Sequence, residues 1–71
     1  MKSLEIKGAR VRLGYKQKEM AERLGISTTS YRKKESGVVR FTDDEKVVVS
    51  EILGFDAPTI NRIFFDGRLP L

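Results

Sequence analysis

Residues 17–37 read Q-K-E-M-A-E-R-L-G-I-S-T-T-S-Y-R-K-K-E-S-G, and this stretch decides the fold. On a helix its first eight residues turn Met20, Ala21 and Leu24 to one side, while the other side alternates charge as a solvated face does. Gly25 stops that helix, because the left-handed position past a helix end favours glycine. Ile26 then plugs the core, and Ser27 caps a second helix running to about residue 36. A 100° wheel sorts residues 28–36 into two faces. Thr28, Thr29, Arg32, Lys33 and Ser36 fall on one side, all polar or basic. Tyr31 lies opposite, where it can pack inward with its hydroxyl at the rim.

Working outward, Gly14, Gly37 and Gly54 also follow helical segments, which predicts helices at about 3–13, 17–24, 28–36, 43–53 and 57–64. In the first, Ile6, Ala9 and Leu13 share an apolar face. Gly8 inside it costs ~1 kcal/mol against alanine, so either a backbone approaches closely there or the helix is weak. The fourth opens with Thr42-Asp43-Asp44-Glu45, which fits a capping box with acids at the positive end of the helix dipole. The β-branched run Val47-Val48-Val49 would suit a strand. A helix is favoured because Val48, Val49, Ile52 and Leu53 then share one face and Gly54 ends the segment. Val47 points away from the core in that reading. The last helix begins at Asp56 or Ala57, has Pro58 in its first turn, and carries Ile60, Ile63, Phe64 and Phe65. The expected fold is all-α, a compact five-helix bundle over residues 1–66, with 67–71 a short tail.

Composition narrows the chemistry. The chain has 71 residues, no cysteine and no histidine. Disulfides, thiolate or imidazole metal sites and histidine-based nucleophile activation are therefore excluded. The acids and serines show no base, metal set or phosphate-cradling loop, so no enzyme and no cofactor is expected. No apolar run approaches the ~20 residues that span a bilayer, and no signal-peptide core is visible, so a cytoplasmic protein is expected. Residues 1–40 hold eleven basic and four acidic side chains, a net of +7, whereas residues 41–71 net −3. A basic half and a pI near 9.7 are the footprint of a polyanion binder, a signal that other small soluble domains share.

Two short helices joined by three or four residues with a glycine form a helix-turn-helix. Residues 6–37, I-K-G-A-R-V-R-L-G-Y-K-Q-K-E-M-A-E-R-L-G-I-S-T-T-S-Y-R-K-K-E-S-G, resemble that motif in the phage Cro and repressor class, also called the XRE family. The matching pieces are Q-x-x-x-A-x-x-L-G-I-S and the later E-x-G. The extension V-V-R-F-T-D-D-E, then L-G-F and I-F-F-D, is similar to a small phage-type branch concerned with the lysis–lysogeny switch. The resemblance implies a five-helix domain whose third helix lies in the major groove of an operator. It implies that Gln17 contacts a phosphate and helps position the recognition helix, with base contacts from Thr28 and Thr29, base or backbone contacts from Arg32 and Lys33, and flanking phosphate contacts from Lys16 and Arg40. Ser27 and Ser36 bound the same face and are expected to contact DNA as well. Arg10 and Glu35 match a buried ion pair between the first and third helices, a structural role. Lys16 departs from the family, since a threonine or serine usually caps the second helix there. Lys34 also departs, and its aliphatic stem is expected to run along the core edge.

Two functional readings follow. One is a sequence-specific operator-binding regulator, dimeric on DNA, with an apolar contact surface from Val47, Phe64, Phe65 and Leu69, one of the two phenylalanines facing out. The other is a modulator that binds a phage repressor through this same domain and alters its operator binding. Neither reading needs a membrane or a small-molecule substrate.

Overall fold

A computed structural model describes residues 1–68 of the chain. It contains five helices: α1 (Ser3–Arg12), α2 (Gln17–Leu24), α3 (Thr28–Glu35), α4 (Asp43–Leu53) and α5 (Ala57–Phe64). Among the described residues there is no strand, and no helix is long and apolar enough to cross a membrane. The valine run of α4 is helical, with Val49 and Leu53 buried and Val47 exposed.

Local chemistry sets the helix ends. The Ser27 hydroxyl accepts the Ser30 N–H at 3.0 Å to start α3, and Asp56 accepts the Thr59 N–H at 3.0 Å to start α5. Thr42 and Glu45 form the reciprocal box at α4: the Glu45 N–H donates to Thr42 Oγ1, and the Thr42 N–H donates to Glu45 Oε1. At α2 the lysine side chain has no acceptor to offer, and Glu19 supplies the compensating half by accepting the Lys16 N–H at 2.9 Å. Gly25 sits at φ 69°, a left-handed position that lets the chain turn within three residues into α3.

Burial follows the faces, with three corrections. Ile6 and Ala9 are buried, but Leu13 is 52% exposed. Leu13 is the C-cap of α1 and still helical in conformation, its N–H on the Ala9 carbonyl, but it lies beyond the stretch of α1 that packs on the core. Tyr31 is buried whole, hydroxyl included, rather than reaching the rim. Its ring lies 6.1 Å from Phe41, which in turn meets Phe64 edge-on at 6.0 Å. Phe64, expected on a partner surface together with Phe65, is therefore a core residue that joins α5 to α3. Gly8 is exposed, and nothing lies within 4 Å of where a Cβ would be, so no backbone approach explains it.

Ion pairs stitch α3 to its neighbours. Arg10 Nε donates to Glu35 Oε2 at 2.8 Å and Nη2 to Oε1 at 3.1 Å, joining α1 to α3. The remaining Arg10 donor, Nη1, meets the Tyr15 carbonyl at 2.8 Å and fixes the loop before α2. On the opposite flank Lys34 Nζ donates to Glu45 Oε1, with only 12% of either side chain exposed. This links α3 to α4 and satisfies the Lys34 ammonium. Burial of Glu45 favours its neutral form, but the hydrogen bonds from Lys34 and the Thr42 backbone outweigh that and lower its pKa. The Tyr31 hydroxyl moves the other way: burial first, and the Glu35 carboxylate second, push its pKa well above the ordinary phenol range.

Two outcomes are expected. Arg10→Met strands the Glu35 carboxylate in the core and costs about 3–5 kcal/mol, lowering the thermal midpoint by about 15 °C or more in calorimetry. Glu45→Gln tests the second pair through pH. A carboxyl with a depressed folded pKa stabilises above its unfolded value of about 4.3 and loses that contribution as pH falls through the folded value. Urea titrations of wild type and Glu45→Gln should therefore differ by about 1–3 kcal/mol at neutral pH, the gap narrowing as pH falls below the unfolded value and closing once it has passed the folded one.

Candidate nucleic-acid interface

The site is the solvent side of α3 with the first turn of α2 beside it. Because Tyr31 and Glu35 bury one edge of α3, geometry forces Thr29, Arg32 and Lys33 outward, and all three are exposed. Thr28 is half-buried at the first helical position. Thr28 and Arg32 are one turn apart, as are Thr29 and Lys33, so the four side chains form two adjacent rows. Ser27 does not project toward a ligand: its hydroxyl holds the Ser30 N–H and lies 3.0 Å from the Ser30 hydroxyl. Ser36 closes α3 as its C-cap, with its hydroxyl donating to the Lys33 carbonyl at 3.1 Å.

Gln17, the first residue of α2, touches both the core and the rows. Its Nε2 donates to Glu35 Oε1 at 3.4 Å, and its Oε1 accepts from Arg32 Nε at 3.2 Å. Lys16 is exposed at the N-cap of α2. Arg40 is exposed in the loop after α3, where it lines a groove with Met1, Phe41, Lys46 and Phe65 rather than joining the rows. Among the described residues Lys16, Lys33 and Arg40 form no ion pair, and Arg32 meets only a neutral amide. Their charge is therefore not neutralised within the described residues, that of Arg32 and Lys33 on the solvent side of α3 and that of Arg40 at the separate groove. Arg23 differs, lying 4.7 Å over the Tyr15 ring.

Three contacts have no trace in sequence spacing: Lys34 with Glu45, Gln17 with Glu35, and Gln17 with Arg32. Each joins residues 11, 18 or 15 positions apart across a loop, where periodicity carries no signal. Lys7 was also not singled out, yet it lines an open cleft with Ser3, Leu4, Gln17 and Arg32 beside the rows. The expected apolar contact surface is smaller than foreseen. Val47 is 56% exposed, Phe64 is interior, and Phe65 is half-buried beneath the Lys46 ammonium at 4.7 Å. Leu69 lies outside the described residues. No group of acids that could hold a metal ion is present among the described residues.

A helix-turn-helix family model matches residues 6–45, the span from α1 into the first turn of α4. No curated protein and no solved structure matches the chain. The family match covers more than half of the 71 residues, and the chain belongs to the helix-turn-helix family of the Cro/XRE type. It is, in the general sense of that family, a DNA-binding transcription regulator.

Proposed function

We propose that this helix-turn-helix protein is a sequence-specific operator-binding regulator of a phage-type genetic switch, acting in the bacterial cytoplasm with α3 in the major groove. One observation carries the reading: α3 presents Thr29, Arg32 and Lys33 to water while Tyr31 anchors it from behind. The major groove admits a helix of this width. Within it the threonines offer a hydroxyl for base edges and a methyl for thymine, and Arg32 offers the two-pronged grip that suits guanine. Lys16, Lys33 and Arg40 supply cations for phosphates on either side, and Gln17 adds an amide N–H. One such helix binds weakly. A dimer on two half-sites about one helical turn apart meets the affinity a regulator needs.

A second reading has its own support. The outer side of α4 exposes Asp43, Asp44, Val47 and Glu51, an acidic face around an apolar centre. That face has the wrong sign for DNA and the right make-up for a protein partner. A phage repressor, bound and altered in its operator affinity, fits this role, and the two readings are compatible.

Anisotropy titrations on promoter duplexes at several salt concentrations test the first reading. The affinity for a preferred duplex should fall with log[salt] at a slope of about −0.9 for each phosphate neutralised. Arg32→Ala should relax preference at one base position by about 1–3 kcal/mol, whereas Lys33→Ala should weaken all duplexes alike if it grips phosphate. Binding that shows no sequence preference, together with tight association to a repressor, would select the second reading.

A further inference from the structure

We propose that the outer face of α1 is a docking surface for the outer face of α4 of a second copy of this chain, a head-to-tail contact separate from a two-fold dimer. The α1 face is apolar along its centre. Leu4, Gly8 and Val11 recur at helical spacing on the side turned away from Ile6 and Ala9. All three are exposed, Leu4 by 81% and Val11 by 58%. Nothing lies within 4 Å of where a Gly8 Cβ would be, so the monomer gains no packing from a glycine that weakens its helix. Between two exposed apolar residues, a missing side chain does let another helix come close. Lys7 and Arg12 flank this stripe, exposed and without an ion pair among the described residues. Glu5, the one acid of α1, is already taken by Arg62 at 2.9 Å.

The complement is carried by the same chain. Asp44, Val47 and Glu51 fall on one line along the outer side of α4, an apolar residue between two acids. Neither acid has an ion pair among the described residues. At 1.5 Å per residue the two acids stand about 10 Å apart along the helix axis. Val47 seated over Gly8, between Leu4 and Val11, therefore brings one acid toward each flanking cation. Both faces point to water, so a single molecule cannot satisfy them and a pair can. Each pair keeps one unused face of either kind, and the contact propagates instead of closing. One short helix face against another is small for a protein interface, so the contact is weak between free molecules. The α1 stripe begins at the border of the α3 rows, where Leu4 and Lys7 line the cleft next to Arg32. Resting on the operator-binding reading for its effect on DNA, copies on neighbouring sites hold one another, because a shared duplex raises their effective concentration.

Sedimentation velocity of the DNA-free protein over a concentration series, at low and high salt, tests the contact. Wild type should grow beyond a dimer as concentration rises, and salt should weaken that growth. Lys7→Glu with Arg12→Glu, and separately Asp44→Lys with Glu51→Lys, should each weaken self-association by about tenfold or more. An equimolar mixture of the two double variants should regain it, since their faces match in sign again. Gly8→Gln adds uncharged bulk where the monomer has open space. It should raise the thermal midpoint and still cut self-association by about tenfold or more. A wild-type chain that stays monomeric at millimolar concentration, or stops at a closed dimer, overturns the proposal, and that measurement needs no variant to fold. So does wild-type association by either charge-reversed variant or by Gly8→Gln, or a mixture of folded variants that stays apart. None of these readings involves DNA. Head-to-tail growth in a protein that prefers no duplex upholds the contact and rejects operator binding alone.

Discussion

The pairing of Arg10 with Glu35 is the constraint on which the rest of the structure depends. Two charges removed from water in a core this small are tolerated only because nearly every polar atom of the pair is engaged. Both carboxylate oxygens take guanidinium hydrogens, and the spare arginine donor meets the Tyr15 carbonyl. Those bonds define the angle between α1 and α3 and the path of the loop entering α2. A purely apolar contact at the same place would hold the helices together without dictating the rotation of α3 about its axis. The ion pair dictates it, because Glu35 must face Arg10. That rotation turns Arg32 and Lys33 outward.

Charge segregation adds a direction to this geometry. The basic side chains concentrate in the first forty residues, and the acids of α4 sit on a separate outer face. The Lys34–Glu45 pair lies where the two regions meet and neutralises the only lysine of α3 that points toward α4. The polyanion-facing side thus keeps its field, while the acidic side cannot approach a phosphate backbone without repulsion. The two faces therefore differ in sign, and only the basic one attracts a polyanion.

Much of the architecture was legible in the sequence because helix ends carry strong local chemistry. Glycines in left-handed conformation and the Ser27, Thr42 and Asp56 caps stand where their types predict. Faces were legible only inside helices. Leu13 keeps the period of α1 but sits at its C-cap, past the last residue that packs on the core, and is exposed. Phe64 and Phe65 are adjacent aromatics at a helix end, and only the position of Phe41 tells which of them is enclosed. In the site, the outward rows were legible from the wheel. The Arg10–Glu35 contact came from resemblance, since nothing in the spacing of the two residues announces it. For Gln17 the resemblance implied a part in positioning the recognition helix, but its partners Glu35 and Arg32 were not legible, because they depend on how two helices meet.

The outward rows have a consequence for divergence among related chains. The Thr29 and Lys33 side chains make no hydrogen bond or ion pair within the described residues, so a lineage can rewrite these two positions at no structural penalty. Position 32 is less free, since its replacement leaves an amide oxygen looking for another donor. Drift along the outer rows of α3 is therefore expected to be uneven, quick at positions 29 and 33 and slow at position 32.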